Sequence, residues 1–158
     1  MGEKVPSTSE FDSVDPAPPS KEESIEKLQH TLCDESERMF IRMRALFSLR
    51  NIGGERAIDG LAAGFLCSSA LLKHEIAYVL GQMQDPYAVD PLIARLSDLQ
   101  EDVMVRHEAA EALGAIGDLR SMSTLEEFIE DDSIVVSESC EVAIDLLNWV
   151  NSKTLEYS

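Results

Sequence analysis

Three stretches read one above another decide the fold: RMRALFSLRNIGGERAIDGL (residues 42–61), KHEIAYVLGQMQDPYAVDPL (73–92) and RHEAAEALGAIGDLRSMSTL (106–125). They are offset by 31 and 33 residues, and a fourth copy opens 31 residues further on with SESCEVAIDLL (137–147). Within each copy apolar residues recur at helical spacing, a short turn intervenes, and a second helical run follows. Ala45, Ile76, Ala109 and Cys140 share one register, and Leu49, Leu80, Leu113 and, close by, Leu147 mark another that faces the core. One such helix pair cannot bury its apolar face alone, whereas a stack of four can bury a continuous core. The expectation is an all-α protein, an α-solenoid of about four helix pairs.

Working outward from these copies, breakers fall at Asp34–Glu35, Gly53–Gly54, Cys67–Ser69, Asp85–Pro86, Gln100–Asp102, Gly117–Asp118 and Asp131–Ser133. They cut residues 21–158 into about eight helices, and no sustained period-two alternation indicates a strand. A period in the thirties with two helices per copy is HEAT-like, at the short end of that class. Gly81 and Gly114 share a register in helix interiors. Glycine there costs about 1 kcal/mol relative to alanine, which points to close helix approach. Residues 1–20 are of another kind: MGEKVPSTSEFDSVDPAPPS holds Pro6, Pro16, Pro18 and Pro19 and almost no aliphatic periodicity. They read as a flexible, Pro-rich linker or tail, with Ser20 and Glu23 as a capping box opening the first helix.

The 158 residues (17.5 kDa) make one ordinary domain or a short repeat stack, with 44% hydrophobic residues available for a core. Thirteen basic against 30 acidic residues give a net charge of −17. Phosphate recognition needs clustered Lys and Arg, so nucleic acid is excluded as the expected partner, as is an anionic membrane surface, and a cationic partner is favoured. No apolar run reaches the roughly 20 residues of a bilayer span. Cys33, Cys67 and Cys140 are odd in number, widely spaced and set in apolar helical runs. They read as reduced core residues, fitting a cytoplasmic location.

Two copies carry the same dipeptide at the same register, His74–Glu75 and His107–Glu108; the first copy has Met43–Arg44 there and the fourth Glu138–Ser139. Neither is HExxH, because Tyr78 and Glu111 stand four residues after the histidines. A single HE pair is commonly a polar pair on the concave face. Two at one register are different, because equivalent helices of adjacent repeats pack about 8–10 Å apart and project equivalent side chains side by side. Two imidazoles so placed can share a metal, and two histidines with a carboxylate and open positions suit a non-haem iron oxygenase. Each glutamate follows its histidine by about 100° around the helix, bordering the same patch without pointing the same way. His30 has no repeat partner and reads as a surface or packing residue, Tyr78 as core, and Glu126–Glu127 and Glu130–Asp132 as solvated helix ends.

LLKHEIAYVLGQMQD and MVRHEAAEALGAIGD, with RALFSLRNIGG before them, closely resemble deoxyhypusine hydroxylase, a HEAT-repeat di-iron monooxygenase family. The resemblance covers about residues 11–158. That family is a two-half enzyme with HE pairs in both halves, and this chain resembles the C-terminal half preceded by the inter-half linker, at 13–23. The resemblance implies two iron ions per complete site, O₂ as co-substrate, and hydroxylation of the deoxyhypusine side chain on a translation initiation factor. It implies metal-binding roles for His74, Glu75, His107 and Glu108. His74 and His107 would hold one iron and Glu75 would reach the iron of the other half. Glu108 would lie beside the ligands or near the substrate amine, as the catalytic candidate. The other half, or a second copy of this chain, is then a required partner. The competing reading is a non-catalytic HEAT-repeat protein-binding module.

Overall fold

The computed structural model describes residues 6–152, and among them there are eight α-helices and no strand. They are α1 (Ile25–Cys33), α2 (Met39–Ile52), α3 (Gly54–Ala63), α4 (Ala70–Met83), α5 (Val89–Ser97), α6 (Val103–Ile116), α7 (Met122–Glu127) and α8 (Ile134–Asn151). Six of the seven expected breakers lie in the gaps between them, and at the seventh Gly53 separates α2 from α3, whose first residue is Gly54. The repeat frame is strict: α2, α4, α6 and α8 begin at residues 39, 70, 103 and 134, so the two histidines, Met43 and Glu138 are each the fifth residue of their helix.

The helices form two layers. Odd-numbered helices are short and amphipathic, with a stripe such as Ala57, Ile58 and Leu61 buried and the rest in water. Even-numbered helices are longer and buried on more than one side, as in α6, where Val105, Ala109, Ala110, Ala112 and Leu113 all face protein. The most extensive packing runs along this inner layer, α4 on α6 and α6 on α8. Gly81 and Gly114 explain how closely: a Cβ at Gly81 would lie 3.0 Å from Ala112 Cα, and one at Gly114 3.0 Å from Ala143 Cα.

The turns repeat as well. Gln84 (φ 52°) and Gly117 (φ 78°) end α4 and α6 in the left-handed region. The next residues, Asp85 and Asp118, accept from the backbone N–H of Tyr87 and Arg120 at 3.0 and 2.9 Å. This Asx device starts the short 3₁₀ turn that leads into each outer helix. A third repeated feature went unread in the sequence. Arg42 and Arg106, one residue before the HE register, each donate Nε to a carbonyl ten residues back, Leu32 and Leu96, at 2.9 Å. They tie each inner helix to the C-terminal end of the outer helix before it.

The first helix starts later than expected. Ser24, not Ser20, is its N-cap, accepting from Lys27 N–H at 3.3 Å. Ser20 is used otherwise: its N–H donates to Ser48 Oγ at 2.8 Å and its carbonyl accepts from the same hydroxyl at 3.2 Å. Residues 6–20 carry no helix, yet they are held. Ala17 is buried, Arg44 donates to the Pro18 and Pro19 carbonyls, both at 3.0 Å, and Arg50 makes a two-pronged pair with Asp15 at 2.9 and 2.6 Å. Among the described residues no helix is long and apolar enough to cross a membrane.

Candidate metal centre

The helix caps set the site. Ser69 accepts from Leu72 N–H and Asp102 from Met104 N–H, which fixes where α4 and α6 begin and so brings their fifth residues into phase. With glycine and alanine at the crossing, the two helices approach until the His74 and His107 rings stack at 6.4 Å between centroids with 27° between planes.

Glu108 completes the group. Its Oε2 lies 3.0 Å from His74 Nε2 and 3.6 Å from His107 Nε2. The donor atoms of these three residues all fall within 4.8 Å of one another. Donors about 2.1 Å from one ion and roughly 90–110° apart are about 3.0–3.4 Å from each other, so the His74–Glu108 pair already has ligand spacing, and His107, at 3.6 Å, needs a small side-chain shift to put two imidazoles and one carboxylate around one small cation. His74 is 30% exposed and the Glu108 side chain only 9%, which leaves the site open on one side and closed behind its acid.

Glu75 stands apart, with Oε1 3.9 Å from His74 Nδ1, on the far edge of that ring. The repeat frame explains the split. The glutamate of one copy meets the histidine of the copy before it, so Glu108 meets His74. The copy before Glu75 has Met43 at that register, which offers no imidazole.

The electrostatics point the same way. Burial pushes the Glu108 carboxyl up to about 7; Glu111 and Glu75 add to the rise and His107 opposes it. Burial also raises Glu75, with His74 opposing and Asp15 adding. A buried carboxyl flanked by two others is stabilised by a proton or by a cation. Cys140, by contrast, is an inert thiol that burial pushes up to about 11, and all three cysteines are free.

Three residues near the centre were not anticipated in these roles. Ser139, at the HE register of the fourth copy, lies 2.6 Å from His107 Nδ1. Tyr78 is exposed instead of core, and lines an open groove of about 270 Å³ between α4 and α6 with Gln82, Gln84, Glu108 and Glu111. Glu111 Oε1 is 3.7 Å from His107 Nδ1. His30 is exposed near the end of α1, away from the cluster. The only mark Ser139 carries in the sequence is its register, since it stands where the second and third copies carry glutamate.

Residues 65–145 match the HEAT repeats family, and 41–67 match the PBS lyase HEAT-like repeat. Deoxyhypusine hydroxylase of Rattus norvegicus is 49% identical over 146 residues, 92% of this chain and 48% of the rat protein. The Homo sapiens enzyme is 46% identical over 153 residues, 97% of this chain and 51% of the human protein. Deoxyhypusine hydroxylase-B of Oryza sativa subsp. japonica is 47% identical over 158 residues, 99% and 52%. The solved structure of human deoxyhypusine hydroxylase in complex with glycerol superposes with a TM-score of 0.87 at 49% identity, covering 91% of this chain and 50% of that one. The chain thus spans about half the length of the curated relatives it matches. It belongs to the HEAT-repeat family, and over that half-length it is homologous to deoxyhypusine hydroxylase.

Proposed function

We propose that this chain supplies one half-site of a deoxyhypusine hydroxylase, acting on the deoxyhypusine side chain of a translation initiation factor with O₂ as co-substrate and two irons per complete site. The observation that carries the reading is the convergence of His74, His107 and Glu108 from two adjacent repeats. His74 and His107 would hold one iron through Nε2, with the Glu108 carboxylate beside them. When bound, iron supplies the oxygen activation that no side chain can.

The rest of the work belongs to the chain. Glu108, whose buried carboxyl is raised to about 7 in the metal-free chain, would give up its proton as a cation binds beside it, so its burial favours metal uptake at this spot. The groove lined by Tyr78, Gln82, Glu108 and Glu111 gives an extended, cationic side chain an acidic approach to that centre. Glu75, outside the cluster, is assigned to the iron of the partner half, which is either the remainder of a longer enzyme or a second copy of this chain. A cytoplasmic location goes with this substrate and with three free thiols.

Iron content per chain after anaerobic loading tests the reading. His74→Ala and His107→Ala should each remove most bound Fe(II), while His30→Ala should retain it. Equal loss from all three would overturn the assignment. A deoxyhypusine peptide that still binds the His74→Ala/His107→Ala double variant, with no turnover in any preparation, would favour the protein-binding module instead.

A further inference from the structure

The convergence of three side chains does not by itself explain why His107 turns Nε2, and not Nδ1, toward Glu108. The answer lies on α8. Ser139 Oγ is 2.6 Å from His107 Nδ1 and 2.7 Å from the carbonyl oxygen of Val135, one turn earlier in its own helix. A hydroxyl has one proton, and a carbonyl can only accept, so the contact to Val135 uses that proton. Toward the imidazole the hydroxyl is therefore an acceptor. In the neutral ring Nδ1 must then carry the hydrogen, and Nε2 is left with the lone pair, 3.6 Å from Glu108 Oε2.

We propose that Ser139 is a positioning residue for the metal centre: it selects the Nδ1–H tautomer of His107 and locks the ring with Nε2 facing His74 and Glu108. This rests on the metal-centre reading above. Three features support it. Ser139 is only 6% exposed, so water does not compete for its hydroxyl. The other acceptor near Nδ1, Glu111, lies at 3.7 Å on a half-exposed side chain, beyond hydrogen-bond distance. Finally, Ser139 occupies the register at which the second and third copies carry glutamate. A carboxylate there would also accept from Nδ1, but it would set another negative charge beside Glu108 and Glu111. A hydroxyl orients the ring without adding charge. The fourth repeat, which lacks an HE pair, thus serves the third.

The test has two readouts. Long-range ¹H–¹⁵N correlation spectra of the metal-free full chain at about pH 8, above the ordinary imidazole range, report the His107 tautomer directly. Fe(II) titration against a chromophoric chelator reports affinity. In the unmodified protein His107 should be the Nδ1–H form. Ser139→Ala should mix or reverse the tautomers and weaken Fe(II) binding by roughly 10–100-fold, as loss of an orienting partner does. Ser139→Thr keeps the hydroxyl and should restore both. Ser137→Ala, whose hydroxyl donates to the Ile129 carbonyl, should change neither. An unchanged tautomer in Ser139→Ala, or a changed tautomer with unchanged Fe(II) affinity, overturns the proposal while the metal-centre reading stands. If His74→Ala and His107→Ala also leave Fe(II) affinity untouched, both fall.

Discussion

Asp131 belongs to an acidic run whose neighbours, Glu130 and Asp132, are exposed, and from composition it reads as solvated. Its carboxylate instead receives two prongs of the Arg106 guanidinium, at 3.2 and 2.6 Å, with the two side chains only 5% and 7% exposed. Arg106 holds the Asp131 carboxyl below its ordinary range; burial works against this and the Ser133 N–H assists it. A depressed folded-state value contributes stability that is fully present above the ordinary aspartate range, about 3.9, and is lost as pH falls through the folded value. Asp131→Asn should therefore cost about 3–5 kcal/mol at pH 7, because a buried guanidinium loses its counter-charge. The difference should narrow below about pH 4. Urea melts of both proteins between pH 3 and 7 check this, and a difference that stays constant to pH 3 would contradict it. The contrast with the histidines shows what one sequence can reveal at this scale. His74 and His107 were legible because an uncommon residue recurs at one register, and the frame supplies their proximity. Asp131 and Ser139 are common residue types, and each acquires its role from a partner on another helix, 25 and 32 residues away. Only the folded packing tells such a residue from its solvated neighbours.

Helices and their boundaries were the most legible part of the chain. Each break is marked by Gly, Pro, Asp or Ser, which carry local backbone preferences that need no tertiary partner. Close helix approach was also readable, from two glycines that a helix otherwise disfavours. It leads to a prediction. At Gly114 a methyl would meet Ala143 Cα and Cβ, both at 3.0 Å, and backbone cannot step aside as a flexible side chain can. Gly114→Ala should destabilise the protein by about 1–3 kcal/mol despite its better helix propensity, and by parting α6 from α8 it should lengthen the His107–Ser139 contact. Thermal melts with Fe(II) titration decide it; a more stable variant would show that propensity outweighs the crossing. The N-terminal segment was the least legible. Its composition indicates a flexible tail, but composition does not register Arg50, fully buried between Asp15, Gln82 and the faces of Phe11 and Phe47. Breaking that pair by Arg50→Ala should release residues 6–20. A loss of about 3 kcal/mol multiplies the open population roughly 100-fold, and cleavage follows that population when opening is fast. Limited proteolysis read by mass spectrometry should find cuts in 6–20 accelerated while α2–α8 stay intact, and an unchanged cleavage rate would mean the pair does not hold the segment.

At the scale of the whole molecule, the centre is lopsided. His74, His107 and Glu108 form one cluster, while Glu75, partly buried and raised by that burial, stands outside it. On the proposed reading, a single copy would offer one iron its ligands and leave one acid without a metal. The outer face of α8 adds a second imbalance among the described residues, since Val142, Trp149 and Val150 are each more than half exposed along one helix. Association about a two-fold axis would correct the first deficit, because Glu75 of each copy would then face the iron of the other. The remainder of a longer enzyme, supplying its own HE pairs, would correct it equally well. Either way, hydroxylation should require a second half-site. Over a dilution series followed by sedimentation on the same samples, turnover per chain should fall as the associated species disappears. Glu75→Ala should abolish turnover while leaving Fe(II) at the chain's own histidines within a few-fold of normal. Constant turnover per chain in a protein shown to be monomeric would refute the shared centre, and Glu75→Ala should then be nearly silent.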